Sequence, residues 1–244
     1  MIQHLLHITH LSKNFGGNVA VSDVSFSVDE KQIFGLIGPN GAGKTTLFNC
    51  ITGYYPASSG DIIFDNKKIN SLRPDEVCRL GMVRTWQRVK PLGSLSVLEN
   101  VMIGAFAVTS TLREAEEMAM EQLRAVALFD YATKTAGVLP IGLKKKLELA
   151  RVLATRPKML LLDEICGGLN HTETEAILAI IRELRKKGTT IVFIEHDMKA
   201  VTSICDRIVV LNSGEKLAEG TPEEITSNPL VIAAYLGGGH HAQD

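Results

Sequence analysis

The sequence predicts an α/β fold in which a parallel sheet carries an N-terminal antiparallel β subdomain and a small inserted α-helical subdomain. Three observations predict it: buried-strand patterns that alternate with helices, an alternating apolar and polar pattern near the N-terminus, and one inserted stretch of helical periodicity. With 45% hydrophobic and 22% charged residues, the composition is that of a globular protein. We expect a single domain over residues 1–244, with its core at 1–88 and 137–244 and the insertion at about 89–136.

Charge and cysteine usage exclude several classes of protein. The chain has 26 basic and 27 acidic residues and a formal net charge of −1, so no overall positive field favours a nucleic-acid partner, and we expect none. Neither a zinc site nor a disulfide framework is indicated by the spacing of Cys50, Cys78, Cys166 and Cys205. Because no leader pattern and no apolar window of about 18 residues occurs, we expect a cytoplasmic chain that is neither secreted nor membrane-spanning.

The N-terminal elements are predicted to be half-buried antiparallel strands. The stretch from residue 5 to about 30 alternates apolar and polar residues, and residues 62–64 continue the pattern. Three histidines, His4, His7 and His10, lie at the start of this stretch. On a regular strand His7 points opposite to the other two, so we do not expect a metal site there.

A glycine-rich turn follows the apolar run at residues 33–37 and precedes a helical segment at 44–51. It matches the pattern G-x-x-x-x-G-K-[ST] between a strand and a helix. Glycines let the backbone wrap a phosphate chain, Lys44 adds a positive charge, and the Thr45 hydroxyl can reach magnesium. We therefore expect a P-loop NTPase (RecA-like) core. The candidate phosphate-binding residues are Gly38, Pro39, Asn40, Gly41, Ala42, Gly43, Lys44, Thr45 and Thr46.

Charged residues follow two further apolar runs, at residues 159–162 and 190–194. Ligands of open α/β sheets bind at the carboxyl ends of such strands. Asp163 can hold a magnesium ion on the phosphates, and Glu164 can orient a water molecule for attack. His196 can hydrogen-bond a γ-phosphate from the second strand. These residues favour hydrolysis over nucleotide binding alone.

Two capping patterns predict helices. In the insertion, Thr111 with Glu114 predicts a helix start. The apolar face of that helix is predicted to comprise Leu112, Ala115, Ala119, Leu123 and Val126. A second capping box, Thr172 with Glu175, predicts a helix that Gly188 ends. Its core-facing residues are predicted to be Ile177, Ile180, Ile181 and Leu184.

In their order and spacing, the motifs resemble the ATP-binding subunit of ABC transporters, from about residue 5 to residue 236. The motifs are an aromatic residue before the first strands (Phe15), the P-loop, Gln87 in Arg-Thr-Trp-Gln, the segment 139–143 before a helix, Asp163-Glu164 after three leucines, Gly168-Leu169-Asn170 and His196. The resemblance implies that Phe15 stacks on adenine and that Gln87 senses magnesium and couples to a membrane partner. It also implies that Glu164 is the catalytic carboxylate, that His196 contacts the γ-phosphate, and that Gly168, Leu169 and Asn170 form the D-loop.

The signature segment departs from this family. Residues 139–143 read Leu-Pro-Ile-Gly-Leu, where the family usually has Leu-Ser-Gly-Gly-Gln, so only Leu139 and Gly142 match. Pro140 has neither a hydroxyl nor an N–H to donate to the ATP of the opposite subunit. In a dimer the altered signature therefore acts on the partner's site, whereas this chain's own P-loop and acidic residues are intact. The lysines at 144–146 either attract phosphate or form a solvated face.

Within the family, several segments look like the branched-chain amino acid importer type. They are Phe15-Gly16-Gly17 with Val19-Ala20-Val21, Arg84-Thr85-Trp86-Gln87, Gly168-Leu169-Asn170 and the ending at residues 231–237. The resemblance implies ATP and Mg²⁺ as ligands, a second ATPase subunit in a homo- or heterodimer, transmembrane permease subunits and, indirectly, an external solute-binding protein. It also implies a peripheral location on the inner face of the cell membrane.

Two alternative functions within the family stay open. The lipopolysaccharide-export ATPase is similar in size and layout. A soluble, non-transport ABC ATPase is a second alternative, although such proteins usually have two tandem ATP-binding units or a long coiled-coil insertion, whereas one unit fills this chain. Other nucleotide enzymes are disfavoured. Residues 66–69 read Asn-Lys-Lys-Ile and lack the acid of a GTPase base reader, and the protein-kinase signatures are absent.

Overall fold

The computed structural model describes residues 4–87 and 89–236. In chain order the strands are β1 (His4–Phe15), β2 (Asn18–Asp29), β3 (Ile33–Ile37), β4 (Ser59–Phe64), β5 (Lys67–Lys68), β6 (Met82–Arg84), β7 (Met159–Asp163), β8 (Thr190–Ile194), β9 (Arg207–Asn212) and β10 (Glu215–Gly220). The α-helices are α1 (Lys44–Ile51), α2 (Pro74–Arg79), α3 (Val97–Ala105), α4 (Leu112–Ala125), α5 (Ile141–Leu153), α6 (His171–Lys186), α7 (Met198–Ile204), α8 (Pro222–Ser227) and α9 (Pro229–Leu236).

A six-stranded sheet in the order β10-β9-β3-β8-β7-β6 forms the centre of the molecule. Its strands are parallel except for β10, which pairs antiparallel with β9 through the Ser213-Gly214 turn. Both turn residues have positive φ, as the tight hairpin requires. The strands expected at residues 159–162 and 190–194 are confirmed, with β7 extending through Asp163.

Both faces of this sheet are covered. Along β3, Ile33 and Ile37 pack into one apolar cluster with the helices α3 to α7, whereas Phe34 and Leu36 pack into the other with α1 and the antiparallel sheet. Side chains alternate between the faces of a strand, so a strand that is apolar throughout is buried on both sides. The uninterrupted apolar runs of β3, β7 and β8 follow from this position in the fold.

The N-terminal strands form a separate four-stranded antiparallel sheet in the order β2-β1-β4-β5, as the alternation predicted. The predicted opposition of His7 to His4 is wrong. Register shifts in β1, between His4 and Leu6 and between Ile8 and Leu11, break the regular alternation. The His4 and His7 rings stack with centroids 6.2 Å apart.

Between β6 and α5 the chain forms α3, α4 and two short 3₁₀ turns. The Thr111 side chain accepts a hydrogen bond from the Glu114 backbone N–H, as predicted for the cap of α4. The reciprocal half of the box is not formed, because the Glu114 carboxylate accepts from the Thr109 hydroxyl instead. Leu112 was wrongly placed on the buried face: it is 67% exposed in the first turn of the helix. The other predicted face residues, Ala115, Ala119, Leu123 and Val126, are buried.

The predicted Thr172–Glu175 capping box is also wrong. Helix α6 begins at His171, and Asn170 is its cap: Asn170 Oδ1 accepts from the Glu173 N–H at 3.0 Å, and Glu173 Oε2 accepts from the Asn170 N–H at 3.1 Å. Asparagine caps helices at least as well as threonine, so the earlier polar residue starts the helix. Ile177, Ile181 and Leu184 are buried as predicted, Ile180 is partly buried against the same cluster, and the helix stops before Gly188.

None of the helices in residues 4–87 and 89–236 combines the length and apolar character that crossing a membrane requires.

Candidate nucleotide-binding and catalytic site

The glycine-rich turn joins β3 to α1 beneath an open cavity of about 600 Å³. A Cβ at Gly38 would lie 2.2 Å from the Leu211 carbonyl oxygen, and one at Gly43 would lie 2.5 Å from the Ala20 carbonyl oxygen. Only glycine fits these positions, and Gly43 also has positive φ. No side chain caps α1, so the first N–H groups of this helix are available to an anion.

The Lys44 side chain is buried and lies along the turn. Its ammonium donates to the carbonyl oxygens of Gly38 at 2.7 Å and Pro39 at 3.0 Å. Burial lowers the pKa of the Lys44 ammonium, and the Glu164 and Asp163 carboxylates oppose that shift. The turn therefore holds a positive charge beneath the cavity in a geometry suited to a phosphate chain.

Three residues predicted from separate motifs meet at one carboxylate. Glu164 Oε2 accepts from Gln87 Nε2 at 2.6 Å, and Glu164 Oε1 lies 2.5 Å from His196 Nε2. All three line the cavity above the P-loop together with Lys44 and Thr45. A carboxylate held on both oxygens, facing a phosphate-binding loop, is placed to orient a water molecule for attack.

Asp163 is almost fully buried, with 2% of its side chain exposed. Its Oδ2 accepts from Arg84 Nη2 at 2.8 Å, and its backbone N–H donates to Thr85 Oγ1 at 3.1 Å. Burial raises the pKa of the Asp163 carboxyl, and the Arg84 guanidinium opposes that effect. Nothing in the local sequence indicated this contact of Arg84, because it depends on the position of β6 next to β7 in the folded sheet.

Oxygen-bearing side chains suited to magnesium share a second cavity, of about 500 Å³. Its lining includes the three predicted ligands Thr45, Gln87 and Asp163. A hydroxyl, an amide oxygen and a carboxylate form the hard-oxygen donor set that Mg²⁺ takes beside phosphate groups. The residues present therefore fit the ion.

Phe15, the predicted adenine contact, does not line the phosphate cavity, and the expectation that it precedes the first strands is wrong, because it is the last residue of β1. Its ring makes an edge-to-face contact with Tyr55, with centroids 5.2 Å apart, and the Lys13 ammonium lies 4.8 Å from the ring centroid. The residues of the β1–β2 hairpin that line the cavity are Asn18, Val19 and Ala20. The half-exposed Phe15 face is open to an aromatic ring.

The signature and D-loop residues lie next to each other. Helix α5 begins at Ile141, inside the segment that was expected to precede it, with Pro140 as a cap that makes no side-chain bond. A Cβ at Gly142 would lie 2.5 Å from Glu173 Oε1, so the D-loop's capping glutamate rests against the signature. Leu139 is buried. Gly142 and Leu169 line one small cavity, of about 150 Å³, between α5 and α6.

Two buried charges on α5 contact the backbone of the segments that carry Glu164 and Gln87. The Lys145 ammonium donates to the Glu164 carbonyl oxygen at 3.0 Å, so this lysine neither attracts phosphate nor forms a solvated face, the two alternatives of the sequence analysis. Glu148 Oε1 accepts from the Trp86 N–H, beside Gln87, at 2.6 Å. Burial lowers the pKa of Lys145 and raises that of Glu148. Nothing in the local sequence indicated these contacts.

A groove of about 300 Å³ adjoins the second cavity, and Trp86 lines both. It lies where β6 and the segment after α1 meet α3 and α5. Its lining includes Tyr54, Cys78, Trp86, Ile103 and Arg151. The mixed aromatic, aliphatic and cationic surface is half exposed at Tyr54, Trp86 and Ile103.

Comparison with known proteins agrees with this geometry. The family described as "ABC transporter" matches residues 21–167, and "Branched-chain amino acid ATP-binding cassette transporter" matches residues 215–241. The chain is 44% identical to the high-affinity branched-chain amino acid transport ATP-binding protein BraF of Pseudomonas aeruginosa, over 97% of this chain and 99% of that one. It is 42% identical to the corresponding protein LivG of Escherichia coli K12, with the same coverage.

Solved structures give the same result. A nucleotide-free ATP-binding cassette from an ABC transporter superposes with a TM-score of 0.88 at 32% identity, over 96% of this chain and 99% of that one. A dimeric cassette in a post-hydrolysis state, bound to ADP and Pi, superposes with a TM-score of 0.80 at 25% identity, over 89% of this chain and 98% of that one. The predicted P-loop NTPase fold, ATP binding and ATPase activity are confirmed. The chain belongs to the ABC transporter family, as one of its ATP-binding subunits.

Proposed function

We propose that the chain hydrolyses Mg-ATP to drive the import of branched-chain amino acids or related small solutes. The observation that carries the hydrolytic part is the Glu164 carboxylate held by Gln87 and His196 over the P-loop. The importer part is supported by the family match at residues 215–241 and by the similarity to BraF and LivG over nearly the whole chain.

In this proposal the P-loop residues 38–46 bind the phosphates through backbone N–H groups, and Lys44 supplies the charge. Thr45, Gln87 and Asp163 hold magnesium, which when bound supplies charge neutralisation at the phosphate oxygens. Phe15 stacks on the adenine. The half-exposed ring at the end of β1 supports this last role, and Val19 is a further candidate contact because it lines the cavity.

Glu164 is proposed to orient the attacking water, and Gln87 and His196 contact its two carboxylate oxygens. Once a γ-phosphate is bound, His196 would turn from Glu164 to donate to it, and Gln87 would turn from Glu164 to help hold the ion. Both movements free the carboxylate to accept a hydrogen bond from water.

We further propose that the chain is one domain, with a helical insertion at about 89–136, that works as a dimer. Leu139 and Gly142 of the signature act on the partner's ATP, and the D-loop residues 168–170 lie at the same interface. The contact between Gly142 and Glu173 supports a common surface. The second ATPase subunit is a copy of this chain or a related one.

The remaining partners are proposed from the transporter family. Transmembrane permease subunits place the chain on the cytoplasmic face of the cell membrane, and an external solute-binding protein acts through them. The groove next to Gln87 is the proposed permease contact, because it spans the core and the helical insertion. The match at residues 215–241 favours import over lipopolysaccharide-type export or a non-transport role.

The test is ATPase turnover of the purified chain, alone and reconstituted with its membrane partners. We expect the partners to stimulate turnover strongly, and Glu164→Gln to keep ATP binding but lose most of that turnover. Near-wild-type turnover by Glu164→Gln contradicts the catalytic assignment. Full activity of the chain alone, with no membrane partner recovered, contradicts the transport assignment and favours a soluble ATPase.

A further inference from the structure

Arg84 is a buried cation beside the proposed metal site, and the proposed mechanism does not use it. Its side chain is 7% exposed at the end of the edge strand β6. All three nitrogen atoms of the guanidinium donate hydrogen bonds. Nη2 donates to Asp163 Oδ2 at 2.8 Å, Nη1 to Asn49 Oδ1 at 2.5 Å, and Nε to the Thr85 carbonyl oxygen at 3.3 Å.

Two aromatic rings also pack near the guanidinium. The Arg84 Cζ atom lies 4.2 Å from the Trp86 ring centroid and 5.9 Å from that of Phe48. Stacking on an aromatic face and a forked hydrogen-bond pattern are both properties that lysine lacks. Contacts within the chain therefore fix the position and orientation of the guanidinium.

This arrangement fixes the orientation of the Asp163 carboxylate. Arg84 bonds to Oδ2, whereas no residue in the described part of the chain donates a hydrogen bond to Oδ1. The Asp163 backbone is tied separately, through its N–H to Thr85 Oγ1. One oxygen is thus anchored, and the other is left to a ligand in the cavity that Asp163 shares with Thr45 and Gln87.

The second bond of Arg84 reaches the helix that carries Thr45. Asn49 lies four residues after Thr45 on α1, which places both side chains on the same face of that helix. Arg84 consequently joins α1 to the end of β7, the two elements from which Thr45 and Asp163 extend. A rigid link between two ligand-bearing elements sets the spacing of the ligands.

We propose that Arg84 is a positioning residue for magnesium, which sets the free oxygen of Asp163 and the distance of Asp163 from Thr45. The inference rests on the proposed function, because it takes Asp163 and Thr45 as the residues that hold the ion. Partners of metal ligands typically change metal affinity by about 10- to 100-fold when they are removed. Arg84 is expected to act within that range.

The experiment uses the full chain and a fluorescent, non-hydrolysable ATP analogue. Its affinity is measured in EDTA and across a Mg²⁺ titration, for the wild type, Arg84→Gln, Arg84→Lys and Asn49→Ala. The exposed Arg79, which pairs with Asp75 on α2, provides the matched control Arg79→Gln. Thermal unfolding of each variant checks that it is folded.

We expect Arg84→Gln to bind the analogue like the wild type in EDTA but to need about 10- to 100-fold more Mg²⁺ for half-maximal tightening. Arg84→Lys keeps the charge without the fork, so a smaller shift is expected, as for Asn49→Ala, which loses one anchor. Arg79→Gln is expected to match the wild type.

A wild-type Mg²⁺ requirement in Arg84→Gln overturns the inference and leaves the proposed function standing. If Arg84→Gln does not fold, a wild-type requirement in both Arg84→Lys and Asn49→Ala overturns it. Equal weakening with and without Mg²⁺ also overturns it, because that result indicates a structural role. Binding that Mg²⁺ does not tighten even in the wild type overturns the proposed metal role itself.

Discussion

Glu164 has a left-handed backbone, with φ of 49°, an uncommon conformation for a residue with a side chain. It costs about 1 kcal/mol relative to a right-handed conformation. Three hydrogen bonds hold it: the Glu164 N–H donates to the Ile194 carbonyl oxygen, and its own carbonyl accepts from the Gly167 N–H and from Lys145. The strain is local to the residue proposed to orient water, and it turns the side chain back over the P-loop.

Lys44 is the residue whose removal tests the phosphate site most directly. We expect Lys44→Ala to weaken ATP binding by about 10- to 100-fold, because a charge-assisted hydrogen bond is worth about 1.5 to 3 kcal/mol. Equilibrium binding of a fluorescent ATP analogue measures the effect. Lys67→Ala, which removes an exposed lysine of β5, is the control and is expected to bind normally. Unchanged affinity in Lys44→Ala argues against the P-loop assignment.

The predictability of the site differs from residue to residue. The phosphate loop could be predicted because its chemistry is contiguous in sequence, and Asp163, Glu164 and His196 could be predicted because they follow buried strands. Arg84 and Lys145 could not. Their partners come from other elements, and whether such a side chain points inward depends on strand order and helix packing that no local pattern encodes.

At the scale of elements, α5 connects the signature segment to the segments that carry Glu164 and Gln87. Lys145 and Glu148 lie three residues apart, on one side of the helix, and contact the Glu164 carbonyl and the Trp86 N–H. The helix begins at the signature, which in the proposed dimer meets the partner's ATP. A shift of α5 on closure would therefore move the backbone of the residues around this chain's own Glu164.

Glu148 gives this element a pH-dependent stability. Its Oε2 is buried without a hydrogen-bond partner in the described residues, and burial raises its pKa. A carboxyl group with a raised pKa in the folded state binds its proton more tightly there. Its contribution to the free energy of unfolding is therefore present at low pH and falls as pH rises through the folded pKa. Glu148→Gln keeps an oxygen that accepts from the Trp86 N–H, and it removes the loss of stability that ionisation of Glu148 causes as pH rises.

We expect the free energy of unfolding of Glu148→Gln, taken relative to that of the wild type, to be larger at about pH 8 than at about pH 5. Urea unfolding at both pH values measures it. The control is Glu117→Gln, an exposed glutamate of α4, for which the difference from the wild type is expected to stay small. A pH-independent difference between Glu148→Gln and the wild type would show that Glu148 is ionised equally easily in both states.

Element boundaries show where sequence patterns are ambiguous. Asn170 and Thr172 are both good caps with a glutamate three residues later, and only the position of the preceding loop decides between them. His4 and His7 show a similar ambiguity, because the register shifts that bring their rings together depend on the pairing of β1 with β2. The apolar runs of the central strands carried no such ambiguity.

At the scale of the whole molecule, the chain pairs an intact hydrolytic site with an altered signature. Pro140 caps α5 without a side-chain hydrogen bond, and Ile141 stands where the family has a glycine. In a dimer the missing contact falls on the partner's ATP. A heterodimer whose partner has an intact signature would then hydrolyse ATP faster at the site on this chain than at the other.

The effect of the signature is measured in a heterodimer in which this chain carries Glu164→Gln and the partner subunit is unchanged. The remaining turnover then comes from the partner's site. Adding Pro140→Ser with Ile141→Gly is expected to raise that turnover by about tenfold or more, because a preorganised donor to the phosphate is restored. Val138→Ser, on the exposed residue two positions earlier, is the control. No increase from the double substitution would mean that the signature is already competent.

The position of Trp86 has an optical consequence. It is the single tryptophan among 244 residues, 46% exposed in the groove and stacked on the Arg84 guanidinium. An indole emits at a wavelength that depends on its hydration, and a neighbouring cation changes its intensity. The chain therefore carries one indole fluorophore, between the proposed magnesium site and the proposed permease surface, and in the purified, unlabelled chain its emission reports on both.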